Sequence, residues 1–157
     1  MAPDVVLRDV EETDLPIFFE QQRDPDATHM AAFPARDPQA FAVHWAALLA
    51  DERITKRTIL YRGQVAGNIV SFQQGGEGLV GYWLGKEYWG KGIATEALSL
   101  LLHELHERPI YAHVAKRNEA SIRVLEKCGF AICGQGTTLV SPGGEEIEEF
   151  IMRLDAS

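Results

Sequence analysis

Long apolar runs, cysteines and an excess of basic side chains are all scarce in this sequence of 157 residues. No apolar run approaches the roughly 18 residues that a membrane-spanning helix requires, and the N-terminus MAPDVVLRDV lacks the basic-then-apolar order of a signal peptide. The two cysteines, Cys128 and Cys133, are too few for a disulfide framework and lack partners at zinc-like spacing. We therefore expect a cytoplasmic protein with no membrane partner, no metal and two ordinary buried thiols.

The charge balance is acidic, with 23 Asp and Glu against 15 Lys and Arg and a formal net charge of -8. Binding to a nucleic-acid backbone needs clustered basic side chains, so this balance argues against a nucleic-acid partner. A cationic substrate suits an acidic protein better. Hydrophobic residues make up 46% of the chain, which predicts a single domain over residues 1–157 with a sizeable core.

Turn signals and periodicity predict the elements of the first half. DVVLRDV predicts a strand, and Thr13 offers the N-cap of a helix that runs to about Arg23. The stretch DPDATHMAAFPARDP is too rich in Pro, Asp and Ala for a regular element until Asp37 and Pro38 begin a second helix. TILYRGQVAGNIVSFQ then predicts a hairpin, and LVGYWLG predicts a further strand over residues 79–85.

The second half alternates helices with strands. ATEALSLLLHELHER has the leucine stripe of an amphipathic helix, RPIYAHVA predicts a strand over 109–115, and NEASIRVLEKCGF predicts a helix that Gly129 ends. AICGQGTTLV and EEIEEFIMRL predict a final strand pair. Because a helix joins strands 79–85 and 109–115, these two strands should be parallel neighbours. The predicted fold class is α/β (α+β), a mixed and mostly antiparallel sheet of six to seven strands with helices packed against it.

The glycine-rich corner between Gly85 and Thr95 has several interpretations. Gly85 to Lys91 matches the G-x-x-x-x-G-K spacing of a nucleotide-binding P-loop, but Gly92 stands where Ser or Thr should bind magnesium. Gly90 and Gly92 begin a dinucleotide-binding pattern, but Thr95 stands where Gly or Ala is needed. A tight turn with glycines at positive φ and no ligand is a further alternative.

A fourth interpretation uses the helix that follows the corner. The N–H groups of residues 90 to 95 would lie at a helix N-terminus, where unpaired donors and the helix dipole attract an anion. Glycines at positions 90 and 92 let the backbone come close to that anion. This arrangement predicts a pyrophosphate site that requires no metal.

The same segment resembles the signature of the GNAT superfamily of N-acetyltransferases. The family pattern is Gln or Arg, two residues, Gly, one residue, then Gly or Ala, and Trp89, Gly92 and Ala94 take those places here. Tryptophan at the first position is similar to the branch of ribosomal-protein N-terminal (Rim-like) acetyltransferases. NEASIRVLEKCGF resembles the helix after the fifth strand of that branch, with Asn118 and Ser121. The resemblance extends over about residues 4 to 154 and implies helices on both faces of a sheet whose parallel strands splay apart.

The resemblance implies acetyl-CoA as cosubstrate, with its pyrophosphate on the amides around Gly92. Its pantetheine arm would bond the backbone of Trp83 and Leu84 as an added strand, with Asn118 on the other side. Lys86 and Lys91 would either screen phosphate charge or simply be solvated. The predicted cofactor-binding residues are Trp83, Leu84, Trp89, Gly90, Lys91, Gly92, Ile93, Ala94, Thr95, Asn118 and Ser121.

Acetyl transfer to an amine needs a neutral nitrogen, a donor for the oxyanion and help for the departing thiolate. A backbone N–H near Leu84 would serve the oxyanion. Many relatives place a tyrosine seven residues after the asparagine for the thiolate, but this chain has Leu125 there. Ser121 is the nearest hydroxyl, one turn from Asn118, and is the predicted acid, unless it only bonds its own backbone as helix serines do.

His113 occupies the position where some ribosomal-protein acetyltransferases carry a glutamate base. An imidazole suits proton transfer near neutral pH, although a lone strand histidine is also often structural. His103 and His106 miss the zinc pattern H-E-x-x-H and fit a solvated helix face. His29, with Met30 and Phe33, falls where this branch builds its acceptor pocket, and would either touch substrate or merely pack.

The sequence therefore predicts an N-acetyltransferase in which a primary amine attacks acetyl-CoA directly in a ternary complex. The acceptor would be a protein N-terminus or a small cationic amine, and the resemblance also allows a homodimer. A non-catalytic acyl-CoA-binding sensor is the alternative, because Leu125 replaces the usual acid.

Overall fold

The computed structural model describes residues 4–31, 35–139 and 146–156, apart from the side chains of residues 29–31 and 138–139. The described chain contains seven strands and five α-helices, in an order close to the predicted one. The strands are β1 (Val5–Asp9), β2 (Thr55–Tyr61), β3 (Gln64–Gln74), β4 (Glu77–Leu84), β5 (Ile110–Ala115), β6 (Ala131–Leu139) and β7 (Glu146–Leu154). The helices are α1 (Leu15–Gln22), α2 (Pro25–Ala31), α3 (Pro38–Ala50), α4 (Ile93–Glu104) and α5 (Glu119–Lys127).

All seven strands form one sheet in the order β1-β2-β3-β4-β5-β7-β6. Every neighbouring pair is antiparallel except β4 and β5, which are parallel as the helix between them predicts. The main core joins this sheet to α4 and α5, with Leu98, Leu101 and Leu125 fully buried. A second core, built on Phe18, Phe41 and Trp45, belongs to α1 and α3. The predicted mixed sheet with helices on both faces is confirmed.

Two predictions for the first forty residues are wrong. Residues 25–31 form α2, because the Asp24 side chain accepts from the Asp26 and Ala27 N–H groups (2.9 and 3.3 Å) and Pro25 occupies the first helical position. Thr13 is not an N-cap, since it lies inside a 3-10 turn over Glu12–Asp14 that precedes α1. The Asp37 cap of α3 forms as predicted, with its side chain accepting from Ala40 N at 2.7 Å.

A buried carboxylate fixes the start of α1 to the sheet. Asp14 is 2% exposed and accepts hydrogen bonds from Arg8 of β1 (2.7 and 2.8 Å), from Thr58 of β2 (2.6 Å) and from the Glu11 N–H (2.9 Å). Burial alone would raise the pKa of Asp14, but these hydrogen bonds outweigh it and hold the pKa at about 2. The charged form of Asp14 therefore stabilises the fold.

Substituting Asn for Asp14 should lower the free energy of unfolding by roughly 2 kcal/mol at pH 7, the value of the pKa depression. The depressed pKa means that this stability is fully present above about pH 4 and is lost as the pH falls through 2. Urea unfolding of both proteins at pH 7 and pH 3 measures the difference, which should shrink at pH 3. Asp9→Asn is the control, because Asp9 is 90% exposed and its ion pair with Arg57 should contribute little. An equal effect of both substitutions at pH 7 would contradict the account.

In the part of the chain that the structure describes, no helix combines the length and apolar character needed to span a membrane.

Candidate active site

A gap opens in the middle of the sheet between β4 and β5. Their pairing is limited to Gly78 with Ile110 and Leu79 with Tyr111, although both strands continue for several residues beyond. The predicted splaying of the parallel pair is therefore present. The backbone groups of β4 that face β5 have no strand partner over the rest of the gap, so an extended ligand can bond there.

The turn from β4 into α4 ends in an uncapped helix N-terminus. A 3-10 turn over Lys86–Tyr88 is followed by Gly90 and Gly92, whose φ angles of +74° and +77° favour glycine. Gly92 is the N-cap of α4, and no side chain caps the helix there. The first intrahelical bond runs from Glu96 N to Gly92 O at 3.1 Å, so the preceding N–H groups have no acceptor within the helix. A Cβ atom on either glycine would meet nothing within 4 Å, which leaves the approach open.

A cavity of about 380 Å³ joins the gap to this helix N-terminus. It is lined by all the predicted cofactor-binding residues except Lys91, namely Trp83, Leu84, Trp89, Gly90, Gly92, Ile93, Ala94, Thr95, Asn118 and Ser121. The predicted residues thus come together from β4, the glycine turn, α4 and α5.

Successive residues of β4 reach the cavity from opposite faces of the sheet. Tyr82 packs against the core beneath α4 and α5, whereas the Trp83 indole N–H donates to the Gln21 carbonyl of α1 at 3.2 Å. Ala27 of α2 also lines the cavity. The cavity is therefore bordered by groups from both faces, so two molecules can approach each other through the gap.

The backbone of Trp83 does not face the gap, which corrects the prediction that it bonds a ligand arm. A Cβ atom on Gly67 would lie 2.0 Å from the Trp83 carbonyl oxygen, so this oxygen points to β3. Gly85 N also donates to β3, at Ala66 O (2.9 Å). Because the backbone groups of successive residues point to opposite neighbouring strands, the N–H and C=O groups of Leu84 and Tyr82 face β5. The Leu84 carbonyl already accepts from the Trp89 indole N–H at 3.2 Å, so its N–H is the group left for a ligand.

Three polar side chains meet where β4 faces the start of α5. The Tyr82 Oη and Ser121 Oγ atoms are 2.6 Å apart, and the Asn118 side-chain oxygen accepts from Ser121 N at 3.2 Å as the cap of α5. The Asn118 amide N–H groups are thus the part of that side chain that can donate to a ligand. Burial raises the pKa of Tyr82 to about 12, although the hydrogen bond with Ser121 lowers this pKa by a smaller amount. Tyr82 is consequently a neutral phenol at physiological pH.

Sequence reasoning missed Tyr82 and two cations of the cavity, Arg123 and Lys127. The two cations lie four residues apart and so share a face of α5, but neither stands three, four or seven residues after Asn118, so helical spacing from Asn118 does not indicate them. Leu125 is 2% exposed within the main core, so the position where relatives carry a tyrosine provides packing here.

Lys86 and Lys91 both lie on the exposed surface beside the glycine turn. The Lys86 ammonium pairs with Asp26 of α2, which ties the turn to that helix. Neither lysine lines the cavity. Cys128 is half-buried at the end of α5, with its thiol 3.6 Å from Thr95 O, and burial raises its pKa. Cys133 is exposed, so the expectation of two buried thiols is wrong for this residue.

His113 is not among the residues that line the cavity. Its side chain is 39% exposed on β5 and its Nδ1 lies 3.2 Å from a Glu149 carboxylate oxygen of β7. The side chains of His29 and Met30, and the whole of Phe33, lie outside the described residues. Within those residues, no group of three or more His, Cys, Asp or Glu side chains could hold a metal ion.

Comparison with protein families matches residues 4–131 to the acetyltransferase (GNAT) domain. Among curated proteins, the chain is 51% identical over 55 residues to a probable N-acetyltransferase YjcK of Bacillus subtilis, covering 32% of this chain. It is 35% identical over 81 residues to an uncharacterized N-acetyltransferase p20 of Bacillus licheniformis, covering 49% of this chain. The chain spans 30% and 45% of the lengths of these two relatives in the matches.

Solved structures share the fold over nearly the whole chain. A GNAT-family acetyltransferase from Bacillus anthracis superposes with a TM-score of 0.81 at 21% identity, covering 99% of this chain and 96% of that one. Spermidine N-acetyltransferase from Vibrio cholerae, solved with CoA and spermine, gives 0.79 at 18% identity, covering 97% and 95%. Mycobacterium smegmatis RimJ, solved with CoA-disulfide, gives 0.77 at 23% identity, covering 97% and 82%. With the family match over residues 4–131, the chain belongs to the GNAT acetyltransferase family.

Proposed function

We propose that this protein is an N-acetyltransferase that moves an acetyl group from acetyl-CoA to a primary amine by direct attack in a ternary complex. The observation that carries the proposal is the uncapped N-terminus of α4, which opens through Gly90 and Gly92 into a cavity at the gap between β4 and β5. This arrangement offers an anion site and a strand-like edge next to each other.

The anion site suits the pyrophosphate of acetyl-CoA. The amides that begin α4 donate hydrogen bonds, and the positive end of the helix dipole favours the negative charge. Arg123 and Lys127 add cations at the same cavity, in a chain whose net charge is -8. The anion would be bound by backbone N–H groups rather than by side chains. Three of the predicted residues have this role, namely Gly90, Gly92 and Thr95.

The strand edge suits the pantetheine arm. The Leu84 N–H faces the gap, and the amide of Asn118 faces the cavity from α5. Acetyl-CoA, when bound, supplies the activated acyl carbon. The Leu84 N–H would then donate to the oxyanion, and the Ser121 hydroxyl would donate to the sulfur.

The transfer balances without a metal or redox partner. The amine lone pair forms the C–N bond, the C–S bond breaks, and its electron pair stays on sulfur. Water takes the proton that nitrogen loses, and the departing thiolate accepts a hydrogen bond from Ser121 and later a proton from water. Because His113 does not line the cavity, we assign the removal of the amine proton to water rather than to this imidazole.

The acceptor approaches from the face that bears Trp83 and Ala27. An acidic protein favours a cationic acceptor such as a protein N-terminus or a polyamine. The spermidine acetyltransferase that shares this fold was solved with spermine, which supports a small polyamine as one acceptor class. The fold shared with RimJ and the tryptophan at position 89 support the Rim-like branch and protein N-termini as the other.

Two measurements on the purified protein test the proposal. Acetyl-CoA at 100 times its Kd should add about 2.7 kcal/mol of stability and raise Tm by roughly 5–10 °C. Acetyl-CoA offered with spermidine, spermine and short peptides bearing free N-termini should release thiol with at least one of them. A thermal shift without thiol release from any amine would instead support the acyl-CoA sensor. The structural argument for such a sensor is that this chain has Leu125 where many relatives have a tyrosine. No thermal shift at all would refute both.

A further inference from the structure

The hydrogen bond between Tyr82 and Ser121 places an unassigned hydroxyl next to the proposed acid. The Oη–Oγ distance is 2.6 Å, and both residues line the cavity. The two residues are 39 positions apart in sequence and come from β4 and α5, the elements on either side of the bound arm in the proposed complex. Their contact is therefore built by the fold and not by local sequence.

Both partners of this hydrogen bond are held in place. Ser121 N donates to the Asn118 side chain in the cap of α5, which fixes the first turn of that helix. The Tyr82 ring packs against the main core on the same face as α4 and α5. A short contact between two restrained groups orients their protons, because each hydroxyl has one proton to donate.

Acidity decides which hydroxyl donates in this pair. A phenol is far more acidic than an alkyl alcohol, so the Tyr82 O–H is the better donor and Ser121 Oγ is the better acceptor. Burial keeps Tyr82 a neutral phenol, with a pKa of about 12, so the donor is present throughout the physiological range. When Tyr82 donates, the Ser121 proton is free to point elsewhere, and the cavity is the open direction.

We propose that Tyr82 is a positioning residue whose hydroxyl donates to Ser121 Oγ and turns the Ser121 proton toward the sulfur of acetyl-CoA. This inference rests on the proposed acetyltransferase function. Neither hydroxyl gives up its proton: Ser121 donates a hydrogen bond to the thiolate as the C–S bond breaks, and Tyr82 strengthens that bond by polarising the serine. Tyr82 and Ser121 together would thereby take over the role of the tyrosine that many relatives carry on α5, at the position of Leu125.

The test compares Tyr82→Phe with Tyr61→Phe. Tyr82→Phe keeps the ring and removes only the hydroxyl. Tyr61 is half-buried at the end of β2, outside the cavity, with its ring in edge contact with Tyr88. With the amine that gives the wild type its fastest thiol release in the panel above, Tyr82→Phe should lower kcat about 10- to 100-fold. Its Kd for acetyl-CoA, followed by the fluorescence of the cavity tryptophans Trp83 and Trp89, should change less than about 2-fold. Tyr61→Phe should leave both quantities unchanged.

A double substitution separates positioning from a structural role. If Tyr82 acts through Ser121, Ser121→Ala should lower kcat by a similar factor, and Tyr82→Phe with Ser121→Ala should be no worse than Ser121→Ala alone. The role of Tyr82 would be overturned if the fold-losses of kcat in the two single variants multiplied in the double variant, or if kcat were unchanged in Tyr82→Phe. Either result would leave the proposed acetyltransferase function standing. A wild type that releases no thiol with any amine would remove the proposed function and this inference together.

Discussion

Substitution of Gly92 by valine is expected to weaken acetyl-CoA binding at least 100-fold. Gly92 lines the cavity at the N-cap of α4, where the proposed pyrophosphate meets backbone amides. A branched side chain at this position would occupy the space that the anion needs. The backbone φ of +77° at Gly92 would in addition be strained for a residue with a Cβ atom. A 100-fold loss corresponds to about 2.7 kcal/mol of binding free energy, measurable by isothermal calorimetry.

Gly63 provides a matched control for the backbone strain. It has a φ of +81° in the turn between β2 and β3, and a Cβ there would also meet nothing within 4 Å. Gly63→Val and Gly92→Val should each lose about 2 kcal/mol of stability, or roughly 4–8 °C in Tm. Only the Gly92 variant should lose affinity.

Gly92→Asn separates the two effects further, because asparagine tolerates positive φ. It should recover most of the Tm and still bind poorly. Undiminished affinity in Gly92→Val would count against the anion site at this helix N-terminus.

Substitution of Gly67 by alanine is expected to be the most damaging single-methyl change in the sheet. Its Cβ would lie 2.0 Å from the Trp83 carbonyl oxygen and 3.0 Å from Leu84 Cα. Both are backbone atoms, so no side-chain rotation relieves the clash and β3 must move away from β4. We expect a loss of about 3 kcal/mol, near 6–12 °C in Tm. Because Leu84 pairs with Gly67 and faces the gap, acetyl-CoA affinity should fall as well.

Gly81→Ala is the matched control for this prediction. Gly81 lies on β4 itself, and a Cβ there would meet only the Val70 side chain at 4.0 Å, an ordinary contact. Its Tm should stay within about 2 °C of the wild type, measured by differential scanning calorimetry. Equal Tm values for Gly67→Ala and Gly81→Ala would show that the strands separate at little cost.

Local signals in the sequence were enough for much of this fold. The leucine spacing predicted α4, the Asp37-Pro38 pair predicted the start of α3, and the helix between two strands predicted the parallel pair. The same Asp-Pro signal at Asp24 and Pro25 begins α2, so that helix was predictable by the rule already applied to α3. The residues of the glycine turn converge on one cavity because they follow each other along the chain.

The remaining features depend on contacts between distant segments, which periodicity does not encode. The Asp14 side chain, and not that of Thr13, accepts from the Glu11 N–H at the start of the turn, and Arg8 and Thr58 reach the same carboxylate from two strands. Tyr82 meets Ser121 across 39 positions, and that contact depends on how α5 packs over β4. The side of β4 that bonds β3 is set by register, and therefore Leu84, not Trp83, presents its backbone to the gap.

The short pairing of β4 with β5 also has a consequence for hydrogen exchange. Amide protons at the edges of a sheet usually exchange fastest, but here the Tyr82 and Leu84 amides, at the centre of seven strands, lack a neighbouring strand. Side chains such as Val80, Ile110 and Met152 hold the two halves together through the core. The middle of this sheet is therefore, besides its two edges, a place where backbone amides lack the protection of a neighbouring strand, and a bound thioester would protect them.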